Sequence, residues 1–170
     1  EKIMRFDKLT TSFQQALAEA QSQALGYENN FIEPEHLLQA LLEEPSGTCR
    51  PLLVQSGVNI AELKSRLQKR ILGFAKVSNT QDIHVSNHLM RLLNQTEKLA
   101  QNHQDQYIPS EWFILASAQD TTPYGEMLKE CGVKAPTIEN HIKSLRAGEN
   151  VTDPNAEDQR QALKKYTIDM

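Results

Sequence analysis

Two histidines four residues apart, His84 and His88, have the spacing at which a helix can align a pair of zinc ligands. Ser86 stands between them as a helix-starting residue, so His84 falls before the helix and His88 within it. The two then share no helical face, and surface histidines are the expectation, because zinc needs three or four convergent ligands. Cys131 is a candidate nucleophile by residue type. It precedes Gly132, a helix-ending glycine, and takes the place that a plain Ser56 holds earlier in the chain, which assigns it to packing. Glu33, Glu35, Glu43 and Glu44 cluster at a helix N-terminus and on a solvated face, where carboxylates complement the helix dipole or meet water. None of the glycines precedes a lysine, so there is no phosphate-cradling G-x-x-x-x-G-K-[ST] loop, and no G-x-S-x-G elbow is present. The sequence carries no catalytic constellation and implies no cofactor or metal within it.

The composition narrows the classes further. A chain of 170 residues is long enough for one domain with a real core. The apolar share of 39% and charged share of 24% fit a soluble globular protein. A net charge of -4 argues against a nucleic-acid binder, which shows a basic face. No apolar run approaches the length that spans a bilayer, and the stretch EKIMRFDKLTTSF has neither an h-region nor a small-residue cleavage site. Cys49 and Cys131 make no disulfide framework and read as free thiols of a reducing compartment. A cytoplasmic protein with no membrane and no nucleic-acid partner is the expectation. The glycosylation triplets at Asn94 and Asn150 are then chance matches.

The elements that must position any site are helical. Phe13, Leu17, Ala20 and Ala24 recur at three- and four-residue steps, and Gly26 ends that helix. Pro34 opens a short helix with the stripe Leu37, Leu38, Leu41 and Leu42. A third runs over 51–56 and stops at Gly57, and a fourth, capped by Asn59, carries Ile60, Leu63, Leu67 and Ile71. After a polar connector from Gly73 to Val85, Ser86 starts a long helix with Leu89, Leu92, Leu93, Thr96, Leu99 and Ala100. Short helices from about Ser110 and over 126–131, then one with Ile138, Ile142 and Leu145, complete the series. No alternating strand of useful length appears, so the class is all-α.

The order long, short, short, medium occurs twice. At an offset of 76, Leu17 matches Leu93, Phe31 matches Tyr107, Ile32 matches Ile108 and Glu35 matches Glu111. At 75, Leu52-Leu53 match Met127-Leu128, Gly57-Val58 match Gly132-Val133, and Leu67 matches Ile142. This is an internal duplication, repeat 1 over about 4–72 and repeat 2 over about 85–146, expected to pack as two four-helix halves about a pseudo-twofold axis with a groove at the seam. Residues 147–158, AGENVTDPNAED, read as a linker.

The paired segments FIEPEHL and YIPSEWF resemble the two repeats of the Clp N-terminal domain, which heads several AAA+ unfoldases. MRFDKLTTSFQQALAEAQSQALG, NNFIEPEHLLQALL and AEDQRQALKKYTIDM resemble the ClpB-type disaggregases in particular, and the resemblance runs from Met4 to the end. It implies a Clp N-terminal domain over 4–146, the linker, and the opening of a first ATPase domain over 159–170. It further implies a full-length hexameric ATPase that uses ATP and magnesium, works with the DnaK chaperone system and threads polypeptides out of aggregates. It implies that this part by itself is not an enzyme and is monomeric. Its implied role is to hold unfolded or aggregated polypeptide in an apolar groove with a polar rim and pass it to the ATPase ring. By the same resemblance the family positions fall on Thr10, Asp105 and Glu111, with apolar lining from Leu99 and Trp112 and with Gln95 one turn earlier. Two residues depart from the family pattern: Pro109 stands where a polar residue is usual, and Trp112 where aliphatic residues are common. The residues by themselves allow plainer roles: Thr10 as an N-cap, Glu111 as a dipole partner, Asp105 as a loop cap and Trp112 as core. An alternative within the resemblance is an adaptor-docking domain of the ClpA or ClpC type.

Overall fold

The computed structural model describes residues 8–44, 48–77 and 83–146. In these, eight helices follow the expected order: α1 Thr11–Gly26, α2 Pro34–Glu43, α3 Cys49–Gln55, α4 Ile60–Leu72, α5 Asn87–Asn102, α6 Glu111–Ala118, α7 Pro123–Glu130 and α8 Ala135–Arg146. Their starts follow from local chemistry. The Thr10 hydroxyl accepts the Phe13 N–H at 3.3 Å, Ser86 accepts Leu89 N–H at 3.0 Å, and Asn59 accepts Glu62 N–H at 3.1 Å. Pro34 and Pro123 occupy first-turn positions, where a missing N–H costs nothing. Gly57 and Gly132, at φ +86° and +101°, turn the chain after α3 and α7. The linker 147–158, residues 159–170 and the stretch before Lys8 lie outside the described residues.

The second helix of each half is central. Every residue of α6 is buried, as are all of α2 except Gln39 and Glu43. Around these two helices lie Phe13, Ala16 and Ala20 of α1, Leu63 and Leu67 of α4, Leu89 and Leu93 of α5, and Ile138 and Ile142 of α8, all in one core.

Contacts between the halves are reciprocal. Thr10 N–H donates to the Ile108 carbonyl at 3.0 Å, and Ser86 N–H donates to the Ile32 carbonyl at 3.1 Å; the four residues are the same two positions, 76 apart. Leu9 bridges Ile108, while β1 (Phe31–Ile32) pairs in parallel with β2 (His84–Val85). Each half thus anchors the first helix of the other. These strands escape the sequence reading because two residues are too few to show alternation; tertiary packing makes them. Close approach continues at Gly132, where a Cβ would sit 3.3 Å from the Gly57 carbonyl oxygen.

Candidate functional site

Trp112, the second residue of α6, sits inside the fold with 0% of its surface exposed. Its Nε1–H donates to Asp105 Oδ2 at 2.8 Å. The imidazole of His103, the residue that ends α5, stacks on the indole with centroids 4.3 Å apart and planes at 26°. The Arg146 guanidinium, from the last turn of α8, lies 5.2 Å from the ring centroid. Arg146 also donates from Nη2 to Asp105 Oδ1 and pairs with Glu111 Oε2 at 3.5 Å. The side chains of Asp105 and Glu111 are 0% exposed and that of Arg146 only 6%. One cation is therefore buried against two carboxylates. Helix ends favour the arrangement, since Glu111 lies in the first turn of α6 and Arg146 in the last of α8.

The first half holds the same positions with other chemistry. Asn29 and His36, 76 before Asp105 and Trp112, are also bonded: His36 Nε2 and Asn29 Oδ1 are 3.0 Å apart. His36 Nδ1 accepts the Glu33 N–H at 2.9 Å, which makes Nε2 the donor to Asn29. Burial pushes the His36 imidazole down to about 4, so it is neutral. Glu35, 2% exposed, pairs with Arg70 Nε at 2.7 Å. This corrects the expectation that Glu35 lies on a solvated face: the carboxylate turns inward to an arginine from the end of α4.

The six predicted contact residues divide. Gln95 is exposed on α5 and Leu99 is half-buried one turn on, so these two face the surface. Thr10 is fully buried as the cap of α1, and Asp105, Glu111 and Trp112 are buried in the cluster. The expectation of an open groove lined by Trp112 is thereby corrected: the indole is core, and of the surface strip Gln95–Leu99–His103 it is the His103 ring that stacks on it. At the N-terminal end of α5 the strip opens into a cavity of about 460 Å³ lined by His88, Arg91, Leu92, Gln95, Gln119 and Thr122, among others. A second cavity, about 550 Å³, lies between α4 and α7, with Arg66, Lys69 and Arg70 facing Glu126 and Glu130. Its walls are joined by the Arg66–Glu130 ion pair.

Sequence reasoning missed His103 and Arg146. The offset of 76 that links Asn29 to Asp105 and His36 to Trp112 was a usable signal for two side-chain pairs in equivalent places. His88 pairs with Asp120 at 3.2 Å, and no group of three or more metal-ligating side chains occurs among the described residues. Both cysteines are buried; the Cys49 thiol donates to Ser110 Oγ at 3.2 Å, and burial pushes the Cys131 thiol up, away from nucleophilic use. No helix among the described residues is long and apolar enough to cross a membrane.

The cavity wall has a tight spot that sets up a prediction. A Cβ on Gly125 in α7 would lie 2.0 Å from the Asp120 carbonyl oxygen. Gly→Ala inside a helix ordinarily gains about 1 kcal/mol. Here the sign reverses, and Gly125→Ala is expected to lose about 1–3 kcal/mol as the Asp120 loop is pushed away. Urea unfolding at neutral pH checks the sign.

Comparison with known proteins gives a consistent picture. The Clp repeat (R) N-terminal domain family matches residues 8–131. The chaperone protein ClpB of Pseudomonas putida is 46% identical over 168 residues, covering 98% of this chain and 20% of that protein. ClpB of Vibrio cholerae is 43% identical over the same share. The chain thus spans about a fifth of the length of these curated relatives. Among solved structures, the Hsp104 N-terminal domain from Candida albicans superposes with a TM-score of 0.77 at 18% identity, covering 88% of this chain and 99% of that one. The N-domain of ClpV from Vibrio cholerae gives 0.71 at 19% identity, covering 89% and 96%. A complex of the ClpV N-domain with a VipB peptide also gives 0.71, at 19% identity and covering 89% and 98%.

Proposed function

Because the chain belongs to the Clp repeat N-terminal domain family, we propose that it is the substrate-recognition domain of a ClpB-type disaggregase. In this reading it captures unfolded or aggregated polypeptide along the outer face of α5 and passes it to an ATPase ring. The observation that carries the proposal is the surface strip Gln95–Leu99–His103, which leads through Gln95 into the 460 Å³ cavity and meets the buried Trp112–Asp105–Arg146–Glu111 cluster where His103 stacks on Trp112. A strip that mixes amide, aliphatic and imidazole groups over a rigid base suits loose recognition of many sequences. The peptide complex of a ClpV N-domain supports peptide binding as a property of this fold. Thr10, Asp105, Glu111 and Trp112 act in this scheme by fixing the strip from behind.

The sequence in hand has no P-loop, so threading belongs to the rest of the proposed full-length protein. That protein would be a cytoplasmic hexamer, using ATP and magnesium and cooperating with DnaK. Affinity for a single segment is expected at about micromolar or weaker, because ordering a flexible chain offsets much of what a small surface can supply. The test is an NMR titration with a permanently unfolded model protein. Shifts are expected to concentrate at Gln95, Leu99 and His103. Shifts confined to α3 and α4, or binding only of a folded partner, would overturn the assignment.

A further inference from the structure

The two halves use their arginines differently. Arg70 and Arg146 lie 76 apart, near the end of the fourth helix of each half. Each pairs through Nε with the glutamate of the central helix, Arg70 with Glu35 at 2.7 Å and Arg146 with Glu111 at 3.5 Å. Arg146 has a second carboxylate as well. Its Nη2 donates to Asp105 Oδ1 and its guanidinium lies against Trp112, so its fork is turned into the core. In the first half the place of Asp105 belongs to Asn29. Asn29 is uncharged and already engaged, its Oδ1 by His36 Nε2 at 3.0 Å and its Nδ2 by the Ala75 carbonyl at 3.2 Å. Arg70 is therefore held at Nε alone. Among the described residues its two Nη groups meet no acceptor, and its side chain is about one-third exposed.

Arg70 lines the cavity of about 550 Å³ between α4 and α7, and Glu35 does not, so the part of the guanidinium left to the cavity is the Nη fork. Lys69 stands beside it on the same wall, exposed and with no acceptor among the described residues. The carboxylates of the opposite wall already have cations of their own: Glu126 pairs with Lys129 at 3.5 Å, and Glu130 with Arg66. Arg66 is also shared with Glu62 at 2.8 Å. The donors without a partner are thus the Arg70 fork and Lys69 Nζ. Pro123 brings the start of α7 to this cavity, and no side chain caps that helix, because the Thr122 hydroxyl donates to Asp120 instead. Its dipole adds to the positive field. We propose that the α4–α7 cavity binds the phosphate group of a small ligand, held by the Arg70 Nη fork and by Lys69 Nζ. A fork fixed from behind by a buried carboxylate loses little freedom on binding and matches two oxygens at once. A carboxylate ligand has both oxygens taken by that fork, whereas phosphate keeps a further oxygen for Lys69. The volume admits free phosphate or a nucleotide, which present the same group. The site is independent of the capture reading, since the strip Gln95–Leu99–His103 lies on α5. No covalent step is involved.

The test is an NMR titration of the whole 170-residue chain with inorganic phosphate, with ADP, with acetate and with sodium chloride, all at matched ionic strength. The readouts are the Arg70 Nε–H resonance and the backbone amides of Lys69, Arg70, Tyr124 and Gly125. Phosphate is expected to give saturable shifts there with a Kd of about 1 mM, the range open to so small a ligand. Chloride and acetate should give much smaller shifts. Lys69→Gln removes an exposed side chain and should leave the fold intact while weakening phosphate about tenfold, the worth of one charge-assisted hydrogen bond. Arg70→Lys keeps the charge but loses the fork, and should weaken it by a similar factor. Lys98→Gln, which removes a charge on α5 outside the cavity, should leave binding unchanged. Tighter binding of ADP than of phosphate supports the site with a nucleotide as the source, and equal or weaker binding of ADP supports it with free phosphate. The inference is overturned if phosphate shifts these resonances no more than chloride does, or if acetate binds as well as phosphate. It is also overturned if Lys69→Gln binds phosphate as the unmodified chain does, a result that decides the matter even where Arg70→Lys fails to fold.

Discussion

Arg146→Ala should cost about 3–5 kcal/mol of stability and Arg146→Met nearly as much. Arginine supplies both a stem and a charge, so the pair of substitutions separates them. Met keeps the packed stem over Trp112 but leaves Asp105 and Glu111 buried without their cation. If the Met variant recovers most of the loss, packing dominates and the electrostatic account fails. Urea unfolding of Arg146→Met, Asp105→Asn and the double variant carrying both, against the unmodified chain, gives the coupling energy in a double-mutant cycle. The matching experiment in the first half is Arg70→Met. Arg70 is about one-third exposed, against 6% for Arg146, so water can reach the charge it leaves behind and the loss is expected to be smaller.

The second large effect is a loss of stability in mild acid that originates at His36. Its imidazole is held down to about 4 by burial, against an ordinary value near 6.5. The folded state therefore holds the neutral ring, while the unfolded chain takes up a proton as pH falls through 6.5. The contribution is full above that value and is lost progressively between 6.5 and 4. At about 1.36 kcal/mol per unit, the loss attributable to this ring between pH 7 and 5 is about 2 kcal/mol. Comparing the unmodified chain with His36→Gln at the two values isolates it. The variant should start less stable, because the Asn29 and Glu33 bonds are disturbed, but decline less steeply. Equal slopes would show that another group governs the acid limb. Trp112 at the equivalent place does not titrate, so the two halves respond to acid unequally although they share a fold.

Particular residues show how far the sequence could be read. Thr10, Asn59 and Ser86 announce helix starts by their own side chains, and each does cap the helix it precedes. Gly57 and Gly132 announce stops, because a left-handed backbone suits glycine. Glu35 and Glu111 were visible as a matched pair, but not that each finds an arginine from the end of the fourth helix. That partner is far away in sequence, and only the packing of α8 on α6 and α4 on α2 brings it in. His103 gave no signal at all, since a histidine at a helix end reads as a surface residue.

The sequence alone determined the helix count and order and the caps at Thr10, Asn59 and Ser86, because these depend on side chains acting on their own backbone and on a period that survives in one dimension. Tertiary structure decided which side of the second half is surface and which is core. α6, EWFILASA, is apolar on nearly every side and buried all round, so its periodicity selects no face. Whether Trp112 looks outward or inward was then settled by what lies next to it: His103 on its face, Asp105 at its edge and Arg146 over its ring.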